Sequence, residues 1–207
     1  MTRGILGGLM AVAILAPAKA PAMAQERPAI LPTRDVAVTY RASGPVQGQQ
    51  REQELKVAFT AGGKLMRVEG IGGGPGAGAY VIVDHTAQRM TMVMAEDRRF
   101  MEMAVNNAFS RGFLVSDTMK FVRRGAESVA GVKCTVWDIT SADGNGNACI
   151  TEDGVMLRGN GIDGKGAIVA TAVAYGPQPA ANFKPPAGFS KIEMPVGMSP
   201  GGGPPRR

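Results

Sequence analysis

From Val36 onward the chain is a succession of short segments in which apolar and polar residues alternate, separated by glycine-rich or Asp/Asn-rich stretches. A repeat of two residues is the spacing of a strand with one buried face, whereas a helix repeats every 3.6, so this pattern commits most of the chain to strands. The predicted strands are 36–42, 55–60, 64–69, 79–84, 90–94, 100–104, 119–124, 133–140, 148–152, 155–159 and 167–175. Short strands joined by turn residues pair with their sequence neighbours in the antiparallel sense. Asp153-Gly154, between Glu152 and Val155, predicts a tight two-residue hairpin turn, and 84–88 a slightly longer one. One amphipathic helix is expected over 106–117. There Asn106 or Asn107 caps the first turn, Phe109, Phe113 and Leu114 share a face, and Gly112 weakens the element. The apolar face of a sheet has to be buried against something. The expected fold is therefore mainly β (α+β): a curved antiparallel sheet with a single helix covering one side.

Within that pattern one hairpin stands apart. Met90, Met92 and Met94 alternate with Thr91 and Val93, and Met101 and Met103 alternate around Glu102, with the polar run Ala95-Glu96-Asp97-Arg98 between them. A four-residue loop there sets Met94 opposite Arg99, Met92 opposite Met101 and Met90 opposite Met103, so all five thioethers share one side of the sheet. Three readings of that side stay open. Methionine fills irregular gaps in an ordinary core, it makes an adaptable apolar binding surface, or its thioethers hold a soft ion such as Cu(I). Copper sites commonly add histidine or cysteine, and here those partners are absent or far off.

The N-terminus has the three parts of a secretory signal: Arg3, an apolar stretch over 5–16, and the small residues Ala22-Met23-Ala24 before Gln25. Cleavage near Ala24 is expected, and with it export to the periplasm. An apolar run of about a dozen residues is shorter than the roughly 20 that a membrane span requires, and none later is longer, so the chain is not expected to span a membrane. Removal of 1–24 takes Arg3 and Lys19 and no acidic residue, lowering the formal net charge from +6 to +4. The basic pairs Arg98-Arg99 and Arg123-Arg124 are short and lack interleaved aromatic residues, so no nucleic-acid partner is expected. The remaining length, about 183 residues, suits one domain with its own core. The expected organisation is a signal peptide over 1–24, a flexible lead-in over 25–35, a single domain over 36–194, and a disordered Gly/Pro tail over 195–207.

Cys134 and Cys149 are the two cysteines, and export places them where disulfides persist. The turn-rich run 141–147 between them lets the flanking strands fold back, so a structural bridge is expected. It would stabilise the fold by about 3 kcal/mol on the chain-entropy model. A redox or metal pair would call for Cys-x-x-Cys spacing or a nearby histidine.

Signals of catalysis are lacking. His85, the single histidine, follows Asp84 in a predicted turn; Ser110, Ser116 and Ser128 sit in no Gly-x-Ser-x-Gly context; and the glycine-rich loop 70–79 lacks the Gly-Lys-Ser/Thr of a phosphate cradle. One histidine and two bridged cysteines cannot close a zinc site. No enzyme activity, catalytic residue, metal or cofactor is expected.

Three stretches together resemble an uncharacterised family of exported bacterial proteins that share a domain of unknown function. They are Val81-Ile-Val-Asp-His-Thr-Ala-Gln-Arg-Met running into the methionine hairpin, Val129-Ala-Gly-Val-Lys-Cys-Thr-Val-Trp, and Cys149-Ile-Thr-Glu-Asp-Gly-Val-Met-Leu-Arg. The closing Phe183-Lys-Pro-Pro-Ala-Gly-Phe is similar to the end of that domain, and the resemblance runs from about Val36 to Met194. The family is similar in pattern to periplasmic lipoprotein carriers of the LolA/LolB type. That resemblance implies a curved antiparallel half-barrel sheet with one or two short helices packed on its concave face and an apolar cavity between them, and it transfers no catalytic or cargo-contacting residue.

The expectation is a periplasmic, non-enzymatic protein that binds a lipid or other apolar group between sheet and helix, with Met90, Met92, Met94, Met101 and Met103 facing the ligand. The alternatives are a Cu(I)-binding protein that uses the same thioethers and a structural or interaction module of the envelope with a protein partner.

Overall fold

The computed structural model describes residues 26–46, 49–70, 78–105, 118–141, 144–160 and 166–193. They form a single open, curved sheet of 12 strands. In chain order these are β1 (Val36–Val46), β2 (Gln49–Phe59), β3 (Leu65–Glu69), β4 (Ala79–Asp84), β5 (Arg89–Met94) and β6 (Arg99–Ala104), followed by β7 (Lys120–Val129), β8 (Val132–Ser141), β9 (Gly144–Ile150), β10 (Met156–Asn160), β11 (Ala167–Tyr175) and β12 (Ser190–Lys191). Their order across the sheet is β12-β6-β5-β4-β3-β2-β1-β11-β10-β9-β8-β7. The chain thus lays down one half as a meander from β1 to β6, builds the other from β7 to β11, and joins them where β11 pairs antiparallel with β1.

Every strand expected from the alternation is present, and several are longer. The β7–β8 hairpin runs on to Val129↔Val132, because Ala130 and Gly131 take the positive φ values of 50° and 76° that turn the chain within two residues. Pairing of β8 with β9 continues to Ser141↔Gly144, so most of the run expected as a turn is strand. The connection at Asp153-Gly154 holds three residues rather than the expected two. Thr151 donates its N–H to the Val155 carbonyl, Gly154 donates to the Thr151 carbonyl, and Gly154 sits at φ +90°. This is the three-residue loop with glycine in the left-handed position.

Helix is almost absent among the described residues, which hold two short 3-10 turns, Ala61–Gly63 and Ala180–Phe183. This corrects the expectation of one or two helices on the concave face as far as the described residues reach. The helix expected over 106–117 lies outside them, as do the signal peptide over 1–24, most of the 70–79 loop and the tail over 195–207. Among the described residues no helix is long and apolar enough to cross a membrane.

Alternation sorts the buried side chains. Val36, Val38, Tyr40, Leu55, Val57, Met66, Val68, Val81, Val83 and Met90 form the main core together with Cys134, Cys149, Val155 and Leu157 from the other half of the sheet. On the opposite face of β3 to β6, Tyr80, Ile82 and Val93 are covered by Phe183 of the 3-10 turn, with Leu65, Phe100 and Phe189 around them. Arg67 fastens that cover: its guanidinium lies 3.6 Å from the Tyr80 ring centroid and donates to the Asn182 carbonyl at 2.8 Å. A third group, Phe121, Trp137, Ile139, Ala148 and Ile150, has Ile30 of the lead-in packed against it.

Residues 26–35 make specific contacts with the sheet. Arg34 donates from Nε and Nη2 to Asp153 Oδ2 at 3.1 and 2.9 Å, and it stacks 4.1 Å from the Tyr175 ring centroid. The Thr33 amide donates to the Asp153 carbonyl at 2.9 Å. A side chain on Gly154 would overlap the Leu31 carbonyl, so the turn has to be glycine both for its φ and for the passage of this strap.

Candidate functional site

The β5–β6 hairpin has the register that its sequence dictates: Met90↔Met103, Met92↔Met101 and Met94↔Arg99. Residues paired directly across two strands share a face. The five methionines and Arg99 are accordingly on one side, while Thr91, Val93, Phe100 and Glu102 are on the other.

Following the pairing beyond the hairpin shows what this face belongs to. One cross-strand row runs Val173–Val38–Val57–Val68–Val81–Met92–Met101 through β11, β1, β2, β3, β4, β5 and β6. A second runs Tyr175–Val36–Phe59–Met66–Val83–Met90–Met103 through the same strands. The methionines are therefore one end of two apolar rows that pass through the main core. Burial falls off along them: Val38, Val68 and Val81 are 1%, 0% and 2% exposed, Met90 is 3% exposed, and Met92, Met94, Met101 and Met103 are only half-buried. Met92 and Met103 still pack against the core. β-Branched valine suits the rigid, fully packed part of such a row, and flexible methionine adapts to the less regular surroundings of its half-buried end.

The disulfide expected between Cys134 and Cys149 is present, with Cα atoms 5.4 Å apart. Cys149 pairs with Val136, so it lies diagonally across the β8–β9 ladder from Cys134 on the same face. Glu127 pairs with Cys134, and one of its carboxylate oxygens lies within 4.8 Å of both sulfurs. This is the closest approach to a metal-ligand set among the described residues. Bridged sulfurs are not thiolates, and Glu127 is already taken by Arg158, so the arrangement is structural.

His85 lies on the β4–β5 loop, where its amide donates to the Lys64 carbonyl and its ring Nε2 is buried without a hydrogen-bond partner. Burial lowers its pKa, and the neighbouring Asp84 opposes that only in part. Asp84 Oδ1 accepts from the Ala87 amide, so the Asp-His sequence serves the loop. Tyr40 is buried, and its hydroxyl donates to the Met156 carbonyl at 2.7 Å. Desolvation pushes its phenol far above the usual range, so it does not act as a base.

Reasoning from the sequence placed the five thioethers correctly relative to one another. It missed the rows that tie them to β1, β2, β3, β4 and β11, and it missed Arg158–Glu127. The rows could have been read by counting residues between turns through the whole meander. The Arg158 contact could not, because its strands are separated by two others.

The architecture thus defines a protein built on one open, curved antiparallel sheet with an apolar face that runs from β11 to β6. The domain of unknown function DUF4412 matches residues 46–159, more than half of the chain, and the chain belongs to that family. The resemblance carried by 81–90, 129–137 and 149–158 is met by this match. No curated protein matches the chain in sequence. Among solved structures, an uncharacterized conserved protein from Thermus thermophilus is similar, with a TM-score of 0.54 at 12% identity over 77% of this chain and 90% of that one. At that identity the likeness is one of fold. Looser similarities include a LolA superfamily protein from Nitrosomonas europaea, with a TM-score of 0.41 at 9% identity over 75% of this chain and 92% of that one. Another is the MucA/MucB complex of Pseudomonas aeruginosa, with a TM-score of 0.43 at 14% identity over 70% of this chain and 53% of that one.

Proposed function

We propose that the chain is an exported, non-enzymatic protein of the periplasm that binds a lipid or other apolar group on the methionine end of its sheet, through Met90, Met92, Met94, Met101 and Met103. One observation carries this reading: two apolar rows that are buried across β1, β3 and β4 become only half-buried at Met92, Met101 and Met103. A face of half-buried, polarizable side chains next to a packed core suits occupants of varying shape. The signal-like N-terminus supports export, and the bridged cysteines support an oxidising compartment.

The test is to purify the protein without detergent from the envelope fraction, record native mass spectra, and titrate it with an apolar fluorescent dye. The expected result is a co-purifying lipid mass, or saturable dye uptake that Met92→Glu abolishes. A bare protein mass combined with no dye uptake overturns the reading and leaves the methionines as plain core.

A further inference from the structure

The methionine face ends on a cation. Arg99 pairs directly with Met94 and shares its side of the sheet, while Met101 and Met103 follow at the next two same-face positions of β6. Its side chain is exposed, in contrast to the buried Met90 at the far corner of the face. Several other basic residues are committed: Arg34 to Asp153, Arg67 to Glu69, Arg123 to Glu26, Arg124 to Asp138, Arg158 to Glu127 and Lys191 to Glu102. Among the described residues no carboxylate pairs with Arg99. The acids of its own hairpin are placed elsewhere, Glu102 on the opposite face with Lys191, and Glu96 and Asp97 in the loop. On this face, then, apolarity rises from an exposed guanidinium through half-buried thioethers to a buried one. From Arg99 to Met103 the run is about 13 Å along the strand.

Resting on the reading above, we propose that the occupant is a free fatty acid, its chain lying along the methionines and its carboxylate held by Arg99. The guanidinium is suited to this because it presents paired N–H donors to a carboxylate. An uncharged chain would make no ion pair with Arg99, and a cationic head would be repelled.

The experiment uses the full mature protein and isothermal titration with laurate, dodecanol and dodecyltrimethylammonium, each below its aggregation threshold. Wild type is expected to bind laurate tightest and the cation weakest. Arg99→Gln is expected to weaken laurate about tenfold, as loss of a charge-assisted hydrogen bond does, and to leave dodecanol unchanged. Arg99→Lys is expected to restore most of the loss. Equal binding of laurate and dodecanol by wild type, or laurate binding untouched by Arg99→Gln, overturns the head-group assignment while the apolar-face reading stands. Lysophosphatidylglycerol binding well above laurate also overturns the choice of a fatty acid. Failure of every amphiphile to bind overturns both.

Discussion

Arg158 donates from Nε to Glu127 Oε1 at 2.8 Å although β9 and β8 stand between their strands, and this ion pair lies against the Cys134–Cys149 bridge. Both sulfurs belong to buried residues, and the Glu127 carboxylate lies within 4.8 Å of them. Glu127→Ala is expected to speed reduction of the bridge by dithiothreitol severalfold, measured by thiol labelling of the folded protein, because access governs thiol exchange. Replacing both cysteines by alanine should cost about 3 kcal/mol in urea unfolding. An unchanged reduction rate in Glu127→Ala would show that burial alone protects the sulfurs.

The burial gradient along the methionine rows predicts unequal penalties for one substitution. Met90→Ala removes a side chain from the main core and should destabilise by about 2–4 kcal/mol in chemical denaturation. Met101→Ala, at the half-buried end of its row, should cost less than about 1.5 kcal/mol. Equal losses at both positions would mean that the face is packed throughout.

Leucine and methionine are close in volume, so Met92→Leu combined with Met101→Leu should keep the fold within about 1.5 kcal/mol. Apolar dye uptake should survive within a few-fold, because the face stays apolar. In competition with a Cu(I) chelator, wild type and the double variant are expected to behave alike. Copper retained by wild type and lost from the variant would instead assign the thioethers to metal.

Acid should loosen the strap of 26–35 before it unfolds the sheet. Burial alone would raise the Asp153 carboxyl, yet hydrogen bonds from Thr151, Arg34 and Tyr175 outweigh it and hold the group below its ordinary 3.8. A carboxylate with a lowered folded value lends its stability above the unfolded value and gives it up as pH falls through the folded one. Hydrogen exchange at the Thr33 amide, bonded to the Asp153 carbonyl, should therefore lose protection below about pH 4 while β1 amides keep theirs. Asp153→Asn should show the loosened state at neutral pH.

Gly154→Ala should destabilise by at least about 2 kcal/mol, since it combines a strained φ with an overlap on the Leu31 carbonyl. Urea unfolding measures it. A loss confined to a few tenths of a kcal/mol would mean that the strap simply moves aside.

Much of this molecule is written locally in its sequence. A period of two and a four-residue loop are enough to set Met92 against Met101, and two cysteines on neighbouring hairpin strands have few other choices. The turn at Gly154 is one residue longer than its Asp-Gly pair suggests, because a left-handed glycine serves both two- and three-residue loops. Less legible are contacts between segments far apart in the chain. Ile30 covering the group of Phe121 and Trp137, Phe183 covering Tyr80 and Val93, and Arg158 reaching Glu127 are examples. These depend on how the sheet curves, and curvature comes from bulges such as those at Thr39/Tyr40 and Met156/Arg158, which alternation does not announce.

β12 is only two residues long, runs parallel to β6, and is fixed there by Ser190 donating to the Arg98 carbonyl and Ile192 to the Phe100 carbonyl. Were it removed, β6 would present bare backbone donors and acceptors beside a methionine surface, the combination that recruits strands from other molecules. This short parallel strand is thus expected to act as a guard against polymerisation. Proteolytic trimming behind Phe183 would be expected to expose that edge and raise aggregation, as read by light scattering.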